Sequence, residues 1–156
     1  MDDLGPAADG ELLVPQNRMR VSAVDSQETA GEDGSAANVL DGKAATIWHT
    51  QWYAATAPMP HEITLDLGAS YPVSALHVLP RQTQSNGRIA DYQVFTSADG
   101  TTWGPAAASG TWADGTGVQD ATFTPRAARY VRLRATREVN GNPWTSVAEL
   151  DVGYRP

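Results

Sequence analysis

A chain of 156 residues, 41% of them hydrophobic, suits one domain with one real core and excludes wholesale disorder. Its formal net charge is −7, with 18 acidic residues against 11 basic ones and a single lysine, Lys43, which argues against nucleic acid and anionic membrane as partners. With no cysteine there is no disulfide framework and no thiolate nucleophile, and no apolar run approaches the roughly 18 residues that span a bilayer.

Residues 1–12, "MDDLGPAADGEL", are acidic and rich in Gly, Pro and Ala, and they carry no signal-peptide pattern. They read as a linker or appended remnant. We place the boundaries at 1–14 for the linker, 15–154 for the domain and 155–156 for a tail. Short alternating runs follow at 18–25, 62–68, 73–79, 91–97, 120–124, 128–136 and 147–153, and each is predicted as a strand. "YVRLR" (130–134) alternates with period two, as a half-buried strand does. Turn signals separate the runs: "DLGAS", "SADGTT", "ADGTG" and "VNGNP". Only "SAANVLDG" (35–42) could wind one or two helical turns, stopped by Gly42. The pattern predicts an all-β sandwich or jelly roll.

The long, weakly patterned stretch 26–61 holds "TIWHTQW" (46–52), two tryptophans flanking one of three histidines. Long loops with such aromatic density are functional more often than disordered. Trp48 and Trp52 could each be core or the wall of a site. For catalysis, Glu149 and Asp151 lie two apart on a strand and share a face, as a glycosidase pair could. The blander reading, one ligating or capping and one solvated, is the stronger. Glu32 and Asp33 are adjacent, so their side chains diverge. The chain has no G-x-S-x-G, no H-E-x-x-H and no Gly-rich phosphate loop before a helix, and it is expected not to be an enzyme.

Several signatures occur together and in order: "LDG…T-x-W", "LDLG", "LPRQ", "N-G-R-I-x-D-Y", "S-x-DG-x-x-W" and "RYVRL". Over roughly 15–154 the chain resembles the discoidin-like superfamily, which includes coagulation factor C-terminal domains. Within it the chain looks most like carbohydrate-binding module family 32. The resemblance implies a β-sandwich of jelly-roll type. It implies a non-catalytic, monomeric module of a secreted, glycan-active enzyme, covalently linked to the catalytic domain and holding it near a glycan.

The resemblance also implies a site for terminal galactose or N-acetylgalactosamine. His49 would contact the axial 4-hydroxyl, Arg81 would donate to it or to ring-side oxygens, and Asn86 would hold the 3-hydroxyl. Trp144, in "NGNPWTS", would stack on the sugar, Glu32 would accept from a further hydroxyl, and Trp52 would form a side wall. Sugar chemistry suits this set, because a pyranose packs C–H groups on an aromatic ring and needs fixed donors and acceptors. Trp48, Trp103 and Trp112 read as structural, and His61 and His77 have no supporting context. Asn86 precedes Gly87, so it is also a turn residue.

By the same resemblance a structural Ca2+ is expected. Asp41, Thr46 and Glu149 would supply side chains and Asn38, Lys43 and Ala148 backbone carbonyls. Calcium takes six to eight oxygens of this mixed kind. An Asx-turn at Asp41 is the simpler alternative. Two other ligand readings stay open. One is a glucosamine, chitosan, glucan or uronate polymer, and a cationic chain would suit the negative charge. The other, ranked low, is a lipid- or protein-binding adhesion domain, for which the chain lacks apolar spikes with basic flanks.

Overall fold

The computed structural model describes residues 10–156. Among the described residues nine strands form: β1 (Leu12–Leu13), β2 (Arg20–Val24), β3 (Trp48–His49), β4 (His61–Leu79), β5 (Ile89–Ser97), β6 (Ala108–Thr111), β7 (Gln119–Glu138), β8 (Ser146–Val147) and β9 (Glu149–Tyr154). All pairings are antiparallel. The main sheet runs β1-β9-β4-β7-β5-β6 with β2 added on β4, and β3 and β8 make a small separate sheet.

The all-β sandwich predicted from the alternating runs is present, but four of the predicted strands merge into two. The runs 62–68 and 73–79 are halves of β4, and 120–124 and 128–136 are halves of β7. "DLGAS" bends the strand and does not reverse it. Asp66 pairs with Tyr130 and Tyr71 with Ala128, so residues 67–70 bulge opposite Arg129 alone. Gly68 sits there at φ +82°, with its N–H bonded to Asp66 Oδ1 at 2.9 Å. Beyond the bulge β4 exchanges partners, from β2 to β9. Both long strands therefore serve both layers, and the apolar core lies between these layers.

The predicted strand 147–153 divides at Ala148. Residues 146–147 pair with β3, then the Ala148 N–H turns to the Leu79 carbonyl and β9 joins β4. Both terminal boundaries also move. Leu12 and Leu13 pair with Tyr154 and Gly153, and Val14 is buried, because these apolar residues close the edge beside β9. The linker reading therefore ends before them, and residues 1–9 of it lie outside the described residues. Arg155, expected in a tail, is tied to the Pro72 carbonyl through its N–H.

Trp48 is fully buried, with its indole N–H donated to the Ser26 carbonyl at 2.8 Å. Trp112 is buried and stacks on Tyr92 at 3.8 Å, and the Arg132 guanidinium covers Trp103 at 4.0 Å. These three tryptophans are structural. The turn at 35–42 is a 3-10 helix, Ala36–Leu40, followed by Gly42 at φ +73°.

Candidate functional site

The short β3 sorts "WH" by the alternation of a strand. Trp48 enters the core, and His49 turns to the opposite side. There it lines a cavity of about 440 Å³ with Gly31, Glu32, Trp52, Arg81, Gln84, Asn86 and Trp144. All six residues expected to touch a sugar are thus brought together, His49 from β3 and the other five from four separate loops. Gly31 and Gln84 complete the lining and carried no sequence signal beyond a turn and a polar loop.

His49 Nδ1 lies 2.6 Å from the Thr50 carbonyl. A carbonyl oxygen only accepts, so Nδ1 carries the proton and Nε2 keeps a lone pair. Burial lowers the proton affinity of His49, and nearby Arg81 adds to the effect, so the ring is neutral near pH 7 and Nε2 accepts. Trp144 stands beside it, with ring centroids 6.3 Å apart and planes tilted by 48°. Its indole N–H is buried without a partner among the described residues. Across the cavity Trp52 donates its indole N–H to Glu32 Oε1 at 2.8 Å. Asp33 turns away to Ser35 and Asn38.

Arg81 and Asn86 share one loop, closed by Arg88. That buried side chain donates from Nε to the Arg81 carbonyl at 2.8 Å and from Nη1 to Asp114 at 3.0 Å. Ser146, opposite His49 in the small sheet, donates from Oγ to the Asn86 carbonyl and from N to the Gly87 carbonyl. Gly87 has φ +88°, and a Cβ there would stand 2.7 Å from the Ser146 nitrogen. Only glycine fits this close approach.

Two buried glutamates, neither visible in the sequence pattern, brace the loops. Glu138 accepts from the Gly87 N–H at 2.6 Å and the Asn142 N–H at 2.7 Å, which joins the Asn86 loop to the Trp144 loop. Glu28 accepts four backbone N–H groups, from Ala30, Gly31, Trp52 and Tyr53. These backbone donors, Gly31 and Trp52 foremost, hold its carboxyl down at about 2. His61, which has no signature in the sequence, ties down the residue before Trp144. Its Nε2 donates to the Pro143 carbonyl at 2.7 Å and its Nδ1 meets Asp25 at 2.8 Å. Thr145, on the other side of Trp144, is bonded to Thr50 in both directions.

The Glu149/Asp151 pair does not line this cavity. Glu149 faces the 38–46 loop. Its Oε1 accepts from Gly42 N and Gln16 Nε2, while its Oε2 is buried without a hydrogen-bond partner among the described residues. Burial, with the Asp41 carboxyl beside it, pushes Glu149 up to about 7, although Gln16 and Gly42 pull the other way. Asp41 also receives the Thr46 hydroxyl and the Lys43 N–H, the latter as an Asx-turn would. Two facing carboxylates, an orphaned oxygen, a hydroxyl and nearby carbonyls form a donor set that suits a hard divalent cation. Among the described residues no group of three or more His, Cys, Asp or Glu side chains is placed to hold a metal ion, so neutral oxygens would complete the shell.

A family model for the F5/8 type C domain matches residues 21–150. The chain belongs to the F5/8 type C family. This F5/8 type C chain is 48% identical over 141 residues to a sialidase of Micromonospora viridifaciens, covering 90% of the chain and 22% of that protein. It is 42% identical over 130 residues to a galactose oxidase of Gibberella zeae, covering 82% of the chain and 19% of the relative. The chain therefore spans about a fifth of the length of these curated relatives. Among solved structures it resembles the module CpGH89CBM32-5 of Clostridium perfringens in complex with GalNAc-β-1,3-galactose. That match has a TM-score of 0.83 and 34% identity and covers 90% of this chain and 99% of that one. It also resembles the family 32 module of C. perfringens NanJ in complex with galactose. Here the TM-score is 0.79 with 28% identity, covering 92% and 98%. The β-sandwich is the fold of these carbohydrate-binding modules.

Proposed function

We propose that this F5/8 type C domain is a non-catalytic carbohydrate-binding module for terminal galactose or N-acetylgalactosamine. One observation carries the reading. Two indole rings, a neutral imidazole acceptor, a guanidinium, a carboxamide and a carboxylate converge on one cavity of about 440 Å³. Trp144 offers a face for the C–H side of the sugar. His49 Nε2 accepts from the axial 4-hydroxyl, Arg81 donates to it, Asn86 holds the 3-hydroxyl and Glu32 accepts from a further hydroxyl. The two modules named above, solved with galactose-containing ligands, support the ligand class. An equatorial epimer would leave site groups unpaired, at about 1–3 kcal/mol for each buried one. A single sugar in an open site should bind with Kd of roughly 0.1–1 mM, or about −4 to −5.5 kcal/mol. Titration calorimetry with galactose, N-acetylgalactosamine and glucosamine oligomers tests this. Loss of galactose binding in His49→Ala and in Trp144→Ala is expected, and intact binding in both refutes the site.

In the parent protein the domain would hold a linked, secreted, glycan-active catalytic domain near its substrate. Repeated weak contacts would add through effective concentration.

Calcium is proposed for the 38–46 loop. Asp41, Thr46 and Glu149 side chains would hold it with the Asn38, Lys43 and Ala148 carbonyls. The ion would neutralise the facing carboxylates and pin the loop to β9. Chelation should lower the melting temperature without changing the fold. At a metal concentration a hundredfold above Kd the linkage is about 2.7 kcal/mol. An unchanged melting temperature, with no metal found by mass spectrometry, refutes it.

A further inference from the structure

Beside the cavity the chain exposes a second aromatic side chain that the terminal-sugar reading does not use. Tyr53 is 67% exposed and Trp52 37%. The Tyr53 ring meets Trp52 edge-on, with centroids 5.9 Å apart and planes at 87°. Trp52 lines the cavity, so Tyr53 extends that wall outward by one ring.

This corner belongs to no strand, yet it is firmly held. Both backbone N–H groups, of Trp52 and Tyr53, donate to the same Glu28 oxygen at 2.9 Å each. The other Glu28 oxygen takes Ala30 and Gly31, so one buried carboxylate ties the two loops together. Gly31 packs against both aromatic residues. A Cβ on it would lie 2.8 Å from Trp52 Cη2 and 2.9 Å from Tyr53 Cβ. An exposed aromatic pair on a fixed backbone loses little freedom when a ligand settles on it. A tyrosine ring packs against the C–H face of a pyranose, and its hydroxyl both donates and accepts. The carboxylates of Glu28 and Glu32 both bond to Trp52 at this corner, which disfavours an anionic surface as the occupant.

We infer that Tyr53, with the outer part of Trp52, is a second subsite that takes the penultimate sugar of a glycan whose terminal sugar fills the cavity. The inference rests on the cavity being a sugar site and adds a preference for chains over single sugars. Calorimetry with methyl β-galactoside, lactose, N-acetyllactosamine and GalNAc-β-1,3-galactose tests it on the intact chain and on Tyr53→Ala and Tyr53→Phe. At least one disaccharide should bind roughly three- to tenfold tighter than the monosaccharide. Tyr53→Ala should remove that gain and leave methyl β-galactoside unchanged, while Tyr53→Phe keeps most of it. Equal affinity for single and paired sugars in the parent chain overturns the subsite, and so does a gain that survives Tyr53→Ala. Parallel loss of both ligands in Tyr53→Ala overturns it too, since that would mean a merely structural side chain. No binding of any galactoside by the parent chain overturns the cavity reading itself, and the subsite with it.

Discussion

Glu138 is fully buried and its two oxygens each serve one backbone N–H, Gly87 on one side and Asn142 on the other. Glu138→Gln keeps the shape and removes one acceptor. Whichever way the amide turns, its NH2 faces an N–H donor for which Glu138 is the side-chain acceptor among the described residues. A stranded buried donor costs about 1–3 kcal/mol. For a domain of this size, roughly 2–4 °C of melting temperature accompanies each kcal/mol, so a drop of about 2–12 °C is expected. Galactose binding should weaken as well, because the loops of Asn86 and Trp144 lose their shared brace. Thermal denaturation by circular dichroism gives the first quantity and calorimetry the second. A variant within about 0.5 kcal/mol of the parent, with unchanged galactose affinity, would refute the bracing role.

Two pH dependences follow from the histidines. His49 must be neutral for Nε2 to accept, and its proton affinity is lowered, chiefly by burial. Galactose affinity should therefore hold through the ordinary histidine value near 6.5 and fall only at lower pH, as followed by calorimetry at stepped pH; a loss centred above that value would contradict the assignment. For His77 the sign is opposite. Burial opposes its charge, but hydrogen bonds with Asp120 at 2.6 Å and Glu11 at 3.0 Å outweigh it and raise its affinity for a proton. This clasp ties the β1 edge to β4 and β7, with Asp151 alongside in register with His77. Its contribution is fully present below the unfolded value near 6.5 and is lost as pH rises through the raised folded value. The melting temperature should decline over that interval in the parent chain, and His77→Gln should flatten the decline. Equal slopes in the two proteins would show that His77 carries no such linkage.

Much of this molecule is legible in one dimension. Alternation along 130–134 and the spacing of turn residues determine an all-β sandwich, because side chains that alternate across a strand need two faces of different polarity. The ordered signatures point to the family, and with it to six of the side chains that line the cavity. Trp48 and His49 separate by the same alternation, since neighbours on a strand face opposite ways. Other features needed the third dimension. "DLGAS" reads as a reversal, yet it bulges within one long strand, because β9 is available to continue the pairing that β2 leaves off. Glu28, His61 and Glu138 are polar residues in unremarkable surroundings, and nothing local marks them as buried. Their partners lie 24–25, 82 and 51 residues away, at Trp52 and Tyr53, Pro143 and Gly87. The family resemblance named which side chains could meet a sugar. Only the folding of distant loops onto buried acceptors decided that they stand around one cavity, because a backbone N–H buried by tertiary packing must find its acceptor wherever the chain brings one.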